Sequence, residues 1–416
     1  MNPPILQSLR RNLDGFETLL SISRDAVTGI PPLYIFSVLG FPSTWVRVDD
    51  RFSEFTLANP WRLGRAIRFL WQVNVPAIPR NPPVFGPPQL NRVFWEPSVI
   101  LQRPDHNGSV TSSPDEAWFF INGIMTNDAV AQLNSAYLAQ LFHRPITMIW
   151  NATDSWPFDL FECAVGKQAS WNVEPAVVAF PLLYDALKDS HKSRVVVIAH
   201  SQGTIIMANI LRLLRGVYKG PRPGIGERGL MEELMPLGFA PPEFVYPDHT
   251  RVDLGDFAPL HDDELAKLEV YLFANCANQI PYLRGPESGV PPLPWIESYG
   301  NEFDIVARLG MLAPDAHERG IELAGPMYRH DGAWGHLLGA HYLNPLARHQ
   351  RRGRRRGGNS DAEPFVLLNP DVPHYEWPRL FDYINGGSPD PEREPSLAVV
   401  QTAANNGAAP VRAAAG

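Results

Sequence analysis

The amino-acid sequence predicts an α/β fold in which a mostly parallel central sheet is flanked by helices. From about residue 116, short apolar runs alternate with helical patterns, which is typical of a parallel sheet covered on both faces. One β-branched run, residues 195–199, leads through a short turn into a helical pattern at 204–214. Hydrophobic residues make up 44% of the 416 residues, which is enough for a sizeable core.

The first elements of this core lie between residues 117 and 150. Residues 117–121, AWFFI, predict a buried strand, and residues 146–150 predict a second one. Between them, residues 126–128, TND, are typical helix-capping residues. The helix that they start has apolar side chains at helical spacing, namely Val130, Leu133, Tyr137, Leu138 and Leu141. This strand–helix–strand order fits a parallel sheet.

The elements that follow continue the alternation. Residues 173–187 are helical in outline but contain Pro181, which predicts a break because proline removes a helical hydrogen bond. Strands are predicted at residues 194–199, 270–274, 295–299 and 321–328. The last of these contains Pro326 and is therefore expected near an edge of the sheet. Residues 336–348 predict a closing helix.

The flanks of this core differ from it in composition. Residues 1–115 predict a proline- and aromatic-rich N-terminal extension that packs on the core, or alternatively a flap that faces a substrate. Residues 116–345 predict the main domain, with 219–266, rich in proline and glycine, as an insertion or cap. Residues 346–386 predict a basic loop and a C-terminal segment, and 387–416 a disordered tail.

Charge and cysteine content exclude several classes of function. The formal net charge of −8 argues against a nucleic-acid binder. The basic run at 351–358, RRGRRRGG, is expected to be a solvated loop, with nuclear localisation or anion binding as alternatives. Cys163 and Cys276 cannot form a disulfide framework and favour a reducing compartment. No integral membrane segment or signal peptide is recognised, so a cytoplasmic location is expected.

Residues 195–204, VVVIAHSQGT, carry the strongest chemical signal. A serine hydroxyl is a weak nucleophile, so it needs a base and an exposed, fixed oxygen, which a sharp turn between strand and helix supplies. Such a turn requires small residues two before and two after the serine, and Ala199 and Gly203 occupy those positions around Ser201. The helix N-terminus would direct its free N–H groups at a developing oxyanion. The alternative is an ordinary helix-capping serine.

This segment resembles the nucleophile elbow of the α/β-hydrolase superfamily, and the resemblance covers about residues 116–345. The sequence departs from the common motif at Ala199, where the first glycine usually stands, although a methyl group meets the same steric demand. The resemblance implies a catalytic domain of the α/β-hydrolase fold. It also implies a triad whose members follow in the order serine, acid, histidine.

The resemblance places the acid after a late strand and the base after the last strand. Asp304, which follows a strand in the pattern Gly–x–x–x–Asp, is the predicted acid, and Glu302 is the alternative residue. A structural interpretation of Asp304 is also open, in which it only caps the helix that follows. His336, preceded by glycine and followed by the closing helix, is the predicted base. His341, inside that helix, and His330, at the end of the strand, are the alternatives.

The oxyanion donors implied by the resemblance are two backbone N–H groups. One belongs to Gln202, the residue after the nucleophile, and the other to Gly123 or Ile124 in the loop after the first core strand. The superfamily often has His-Gly in that loop, whereas this chain has Asn122, whose amide could hold the loop in place. His200 is interpreted as structural because it is expected to point away from Ser201.

Taken together, these residues predict a lipase- or esterase-like serine hydrolase that cleaves carboxylic esters through an acyl-enzyme. The substrate is expected to be a small-molecule or lipid ester. Neither a cofactor nor a metal is implied: residues 224–229, GIGERG, follow prolines rather than a strand, and no metal-binding motif is present. The alternatives are an acyltransferase or thioesterase with the same triad, and a non-catalytic binding protein on the same fold.

Overall fold

The fold is built on a central sheet, seen in a computed structural model of the protein. The structure describes residues 54, 99–103, 114–123, 128–150, 174–220, 243–246, 250–285, 292–314, 316–347, 365–375 and 377–389. The strands within these ranges are β1 Val99–Gln102, β2 Glu116–Ile121, β3 Ile146–Ile149, β4 Arg194–His200, β5 Glu243–Val245, β6 Arg251–Asp253, β7 Leu268–Phe273, β8 Gln279–Ile280, β9 Trp295–Phe303, β10 Glu322–Leu323, β11 Met327–Trp334 and β12 Phe365–Leu367.

Eight of these strands form one sheet in the order β1-β3-β2-β4-β7-β9-β11-β12. The six strands from β3 to β11 in that order are parallel to one another, whereas β1 and β12 pair antiparallel at the two edges. The short strands β5 and β6, and β8 and β10, form two separate pairs. The prediction of an α/β fold with a mostly parallel central sheet is therefore confirmed.

Helices cover both faces of this sheet. They are α1 Asp128–Phe142, α2 Glu174–Lys188, α3 Gln202–Val217, α4 Asp262–Leu265 and α5 Ile305–Arg308, with a π-helical turn at Leu338–Leu343 and 3₁₀ turns at Leu254–Asp256 and Arg379–Gly386. The side chains of β4 alternate between two buried clusters. Val195, Val197 and Ala199 join the cluster of α2 and α3. Val196 and Ile198 join the cluster of α1 and the two C-terminal turns.

Four local predictions differ from the structure. The predicted closing helix at 336–348 begins only at Leu338, and its first part, Leu338–Leu343, is π-helical. Helix α2 continues through Pro181 rather than breaking there, because its buried face packs into the core on either side of the proline, at Phe180 and Leu183. The predicted strand at 321–328 is two strands, since Gly325 takes a positive φ of 85° and Pro326 precedes the start of β11. Strand β9 is longer than predicted and includes Gly300 and Asn301.

The predicted domain boundaries stay predictions, because much of 1–115, 219–266 and 346–386 and nearly all of 387–416 lie outside the described residues. Two described parts of the flanking segments belong to the sheet: residues 99–102 form one edge strand and residues 365–367 the other. Among the helices that the structure describes, none has the length and apolar character needed to cross a membrane.

A buried ion-pair network ties the C-terminal segment to the sheet at the amino ends of its strands. Arg379 donates to the Glu269 carboxylate at 2.8 Å, and Arg194 lies 3.2 Å from the same carboxylate. Glu297 accepts a backbone N–H bond from Arg379 at 2.8 Å, and burial raises the pKa of Glu297 to about 7. The network fixes residues 379–386 on the core, a role that the sequence analysis did not assign to them.

Candidate active site

The residues singled out in the sequence lie where parallel strands of the central sheet end. Ser201 follows β4, Asp304 follows β9, and His336 stands two residues after β11. Asn122 and Gly123 follow β2, the strand beside β4. Because the carboxyl ends of parallel strands meet at one edge of a sheet, segments far apart in sequence converge there.

Ser201 occupies a sharp turn between β4 and α3. Its φ is 58° and its ψ is −127°, a conformation that a residue with a side chain adopts only under constraint. The surrounding backbone supplies that constraint. The Ser201 N–H donates to the carbonyl of Phe273 at 3.0 Å, and the Ser201 carbonyl accepts from the hydroxyl of Thr204 at 2.7 Å. The turn therefore fixes the backbone of Ser201 and the position from which its Oγ projects.

The turn is crowded on the side of α3. A Cβ placed on Gly203 would overlap the carbonyl oxygen of Ile121 and lie 3.0 Å from that of Asn122. Ala199, two residues before Ser201, is completely buried. These contacts provide the physical reason for small residues on both sides of the serine, because the helix starts directly against the end of β2.

Gly203→Val is expected to reduce both thermal stability and activity severely, whereas Ala199→Gly is expected to be mild. The valine side chain would meet backbone rather than a movable side chain, and overpacking of that kind costs about 1–3 kcal/mol or more. The change to glycine removes one buried methyl group, which lowers the free energy of unfolding by about 1 kcal/mol. Thermal melts and turnover of p-nitrophenyl esters would measure both effects. Equal tolerance of the two substitutions would show that the turn is not sterically tight.

Ser201, His336 and Asp304 form a continuous hydrogen-bonded chain. His336 Nε2 lies 2.9 Å from Ser201 Oγ. On the other side of the ring, His336 Nδ1 lies 2.9 Å from Asp304 Oδ2 and 3.1 Å from Oδ1. All three residues are buried, and Ser201 is only 1% exposed. With a proton on Nδ1 directed at the carboxylate, Nε2 is free to accept the proton of the serine hydroxyl.

Asp304 both faces His336 and caps a helix, so its role as a helix cap does not exclude contact with the predicted base. Its Oδ1 accepts the N–H of Val306 at 2.9 Å in the first turn of α5, and its Oδ2 accepts the hydroxyl of Tyr342 at 2.6 Å. Burial acts to raise the pKa of Asp304, but His336 and these hydrogen bonds outweigh it and hold the pKa below its usual value. Asp304 is therefore an anion beside the imidazole.

His200 contacts the predicted base rather than the serine side chain. Its Nε2 lies 2.8 Å from the carbonyl oxygen of His336, and the centroids of the two rings are 4.7 Å apart. Burial, and then the neighbouring His336, lower the pKa of His200 to about 3. The neutral ring, with its proton on Nε2, donates to that carbonyl and so fixes the backbone of His336.

The alternative candidates for the base and the acid make contacts elsewhere. The ring of His341 packs against Gly335, its Nδ1 accepts the N–H of Leu337 at 2.9 Å, and burial lowers its pKa to about 4. His330 lies within β11 with its ring against Phe365. Glu302 accepts the N–H of Gly332 at 2.7 Å. The structure thus brings Asp304 and His336, rather than the alternatives, into the chain with Ser201.

The loop after β2 lies directly against the serine. A Cβ on Gly123 would overlap Cβ of Ser201 and lie 3.0 Å from its Oγ, so only glycine fits this approach. The side-chain amide of Asn122 donates to the carbonyl of Gly123 at 3.0 Å and holds the loop. Gln202 is the buried first residue of α3. Ile124 lies outside the described residues. The roles of Gln202, Gly123 and Ile124 as oxyanion donors stay predictions.

No family model matches this chain, and no curated protein matches it. The interpretation of the site therefore depends on its own residues and geometry. Within the ranges that the structure describes, no group of three or more histidine, cysteine, aspartate or glutamate side chains is arranged to hold a metal ion.

Two residues that support the site were not singled out in the sequence. The hydroxyl of Tyr342 accepts the N–H of Asn301 at 3.1 Å while donating to Asp304. The side chain of Asn301 donates to the carbonyls of Gly335 at 3.0 Å and His341 at 3.3 Å. Their contacts join segments about 30 to 40 residues apart, and no local sequence pattern marks such partners.

Proposed function

We propose that this chain is a serine hydrolase of the α/β-hydrolase superfamily that cleaves carboxylic esters. The observation that carries the proposal is the hydrogen-bonded chain from Ser201 through His336 to Asp304, whose members follow the carboxyl ends of the parallel strands β4, β11 and β9. A capping serine would need neither a histidine on its hydroxyl nor a buried carboxylate behind that histidine. In addition, the order of the three residues in the chain is the order of this superfamily.

In the proposed reaction, Ser201 Oγ attacks the ester carbonyl while His336 Nε2 takes its proton. Asp304 holds the ring in the required tautomer and stabilises the imidazolium that forms. His336 then gives the proton to the leaving alcohol, which departs as the acyl-enzyme forms. Water then attacks the acyl-enzyme while His336 takes its proton. His336 returns that proton to Ser201 Oγ as the acid is released, which restores the serine.

The oxyanion of each tetrahedral intermediate needs donors near Ser201. The N–H of Gln202 opens α3, where the helix dipole favours negative charge. The second donor is the N–H of Gly123 or Ile124, in the loop whose Gly123 approaches the serine. This arrangement is supported by the crowding of Gly123 against Ser201, because a donor must come this close to reach the oxyanion.

Acyl transfer is the second candidate, and the burial of Ser201 favours it. A serine that is 1% exposed lies in a place where water is restricted, and an acyl-enzyme shielded from water can pass its acyl group to an alcohol or a thiol. Thioester cleavage would use the same residues. Adding a primary alcohol to the ester assay separates these reactions, because a transferase makes the new ester in preference to the free acid.

Labelling by a fluorophosphonate tests the proposal against a non-catalytic binding protein. The wild-type protein is expected to form a covalent adduct on Ser201, because the reagent requires a serine activated by its base. Mass spectrometry of the intact protein and of its peptides would detect one adduct and its position. A folded wild-type protein that is not labelled at Ser201 would contradict the proposed function.

A further inference from the structure

Glu54 is the one residue before Val99 that the structure describes, and it lies completely buried beside the candidate site. Its Oε1 accepts the backbone N–H of Gly339 at 2.7 Å, and its Oε2 accepts that of Ala340 at 2.8 Å. The side chain of Asn134, on α1, also hydrogen-bonds the carboxylate. Both oxygens of Glu54 are thus used on one short stretch of chain that follows His336.

The two N–H groups belong to the first turn of the π-helical segment Leu338–Leu343. The N–H groups at the start of a helix have no acceptor within that helix, so a partner from elsewhere has to satisfy them when they are buried. The N–H of His341, which follows these two groups, donates to the carbonyl of Leu337 at 3.0 Å. A carboxylate fits the preceding N–H groups well, because its two oxygens accept two donors side by side and its charge favours a helix N-terminus.

This turn carries the residues that position both the base and the acid. It begins two residues after His336, so its direction sets where the chain leaves the base. Tyr342, in the same turn, donates to Asp304 at 2.6 Å. The carbonyl of His341 accepts from Asn301, whose amide also reaches the carbonyl of Gly335 immediately before His336. A shift of the turn would therefore displace His336 and Asp304 relative to Ser201.

We propose that Glu54 is a positioning residue that holds the Leu338–Leu343 turn and, through it, His336 and Asp304 in reacting geometry. This inference rests on the proposed function. It assigns the N-terminal extension a direct part in building the site, since the carboxylate comes from that extension rather than from the 116–345 domain. Catalytic hydrogen bonds tolerate little displacement, and a shift of about 1 Å can lower a rate by about a hundredfold.

Glu54→Gln is the variant that tests the proposal most closely. Glutamine keeps the size of the side chain but replaces one acceptor oxygen by an NH₂ group, which would face a backbone N–H donor. We expect kcat and the rate of fluorophosphonate labelling per folded molecule to fall about tenfold, with KM changed less than about twofold.

The matched control is Glu264→Gln. Glu264 also accepts a backbone N–H bond near the start of a helix, that of His261 at 2.9 Å, but it lies by α4, at the amino ends of the strands. This control is expected to keep the wild-type kcat, KM and labelling rate. A Glu54→Gln protein that is folded and labels at the wild-type rate would overturn the proposal.

A double-mutant cycle with His336→Ala separates positioning from general loss of structure. If Glu54 acts through the base, Glu54→Gln should change the low residual turnover of His336→Ala by less than about twofold. The same roughly tenfold loss in both backgrounds would overturn the proposal, because Glu54 would then act independently of His336. Circular dichroism and thermal melts of each variant would confirm that folded molecules are compared.

Asn134→Ala provides the test if Glu54→Gln does not fold. It removes one hydrogen bond to the Glu54 carboxylate and leaves both bonds to the turn, so a smaller fall in kcat and labelling rate, about threefold, is expected at unchanged KM. Wild-type rates in Asn134→Ala would count against the proposal. Failure of the proposed function is distinguishable, because the wild-type protein itself would then not be labelled at Ser201.

Discussion

Replacing Ser201 by alanine is expected to lower ester turnover by at least roughly three orders of magnitude, since no other group takes the place of the attacking oxygen. The protein is expected to stay folded. Alanine fits the space of serine, and the turn is held by the backbone of residue 201, through its N–H bond to Phe273 and its carbonyl bond from Thr204. The substitution removes the 2.9 Å contact between Ser201 Oγ and His336 Nε2 and leaves these two backbone hydrogen bonds in place.

The measurement is kcat/KM on p-nitrophenyl esters, with a thermal melt of each protein. Ser193→Ala is the matched control: this exposed serine, just before β4, donates to the carboxylate of Asp115 at 2.8 Å, far along the strand from the candidate site. It should keep wild-type turnover. Near-wild-type activity in a folded Ser201→Ala protein would remove Ser201 from the mechanism.

The position of Ser201 could be predicted from sequence because its determinants are local. A β-branched strand, a turn with small residues on both sides and an apolar helix follow one another within residues 194–217, and the structure reproduces that order. Asp304 and His336 required one further step, the resemblance to the α/β-hydrolase superfamily, which implies the order serine, acid, histidine and places the acid and the base after later strands. Their meeting with Ser201 follows from strand order, to which local propensity contributes little.

The supporting contacts could not be predicted, because each joins distant segments. Glu54 is one of 44 acidic residues, and nothing near it in sequence indicates that it meets Gly339, 285 residues away. Arg379 and Glu269 are likewise ordinary charged residues until the C-terminal segment packs on the sheet. In each case the pairing is decided by which elements become neighbours, a property of the whole fold.

Gly300 and Asn301 show how tertiary contacts override a local signal. Glycine and asparagine are typical of turns, yet both lie inside β9, paired with Arg329 and His330 of β11. The Asn301 amide uses its donors on the carbonyls of Gly335 and His341, contacts that a turn conformation would not provide. In the proposed mechanism this difference matters, because the longer strand β9 places Asp304 next to His336.

His336→Ala is expected to remove nearly all turnover, whereas His341→Ala and His330→Ala are expected to retain most of it. The reason is position, since His336 is the histidine whose ring lies between Ser201 and Asp304. His341 accepts a backbone N–H from Leu337, and His330 packs on Phe365. Turnover of the three single variants at pH 8, each checked for folding, would decide the assignment. An inactive His341→Ala protein together with an active His336→Ala protein would transfer the role of base to His341.

The pH dependence of the wild-type protein adds an independent measurement of the base. A histidine that accepts the serine proton has to be neutral, so kcat/KM should fall as the pH drops below neutrality, in the range where histidines commonly titrate. His200 and His341 cannot produce this fall: burial lowers their pKa values to about 3 and about 4, so both stay neutral down to about pH 5. Asp304, whose pKa is held below its usual value, stays charged over the same range. None of these three groups, His200, His341 and Asp304, can therefore produce a loss of activity between about pH 5 and 7. A rate that stays flat down to pH 5 in a folded protein would argue against a histidine base altogether.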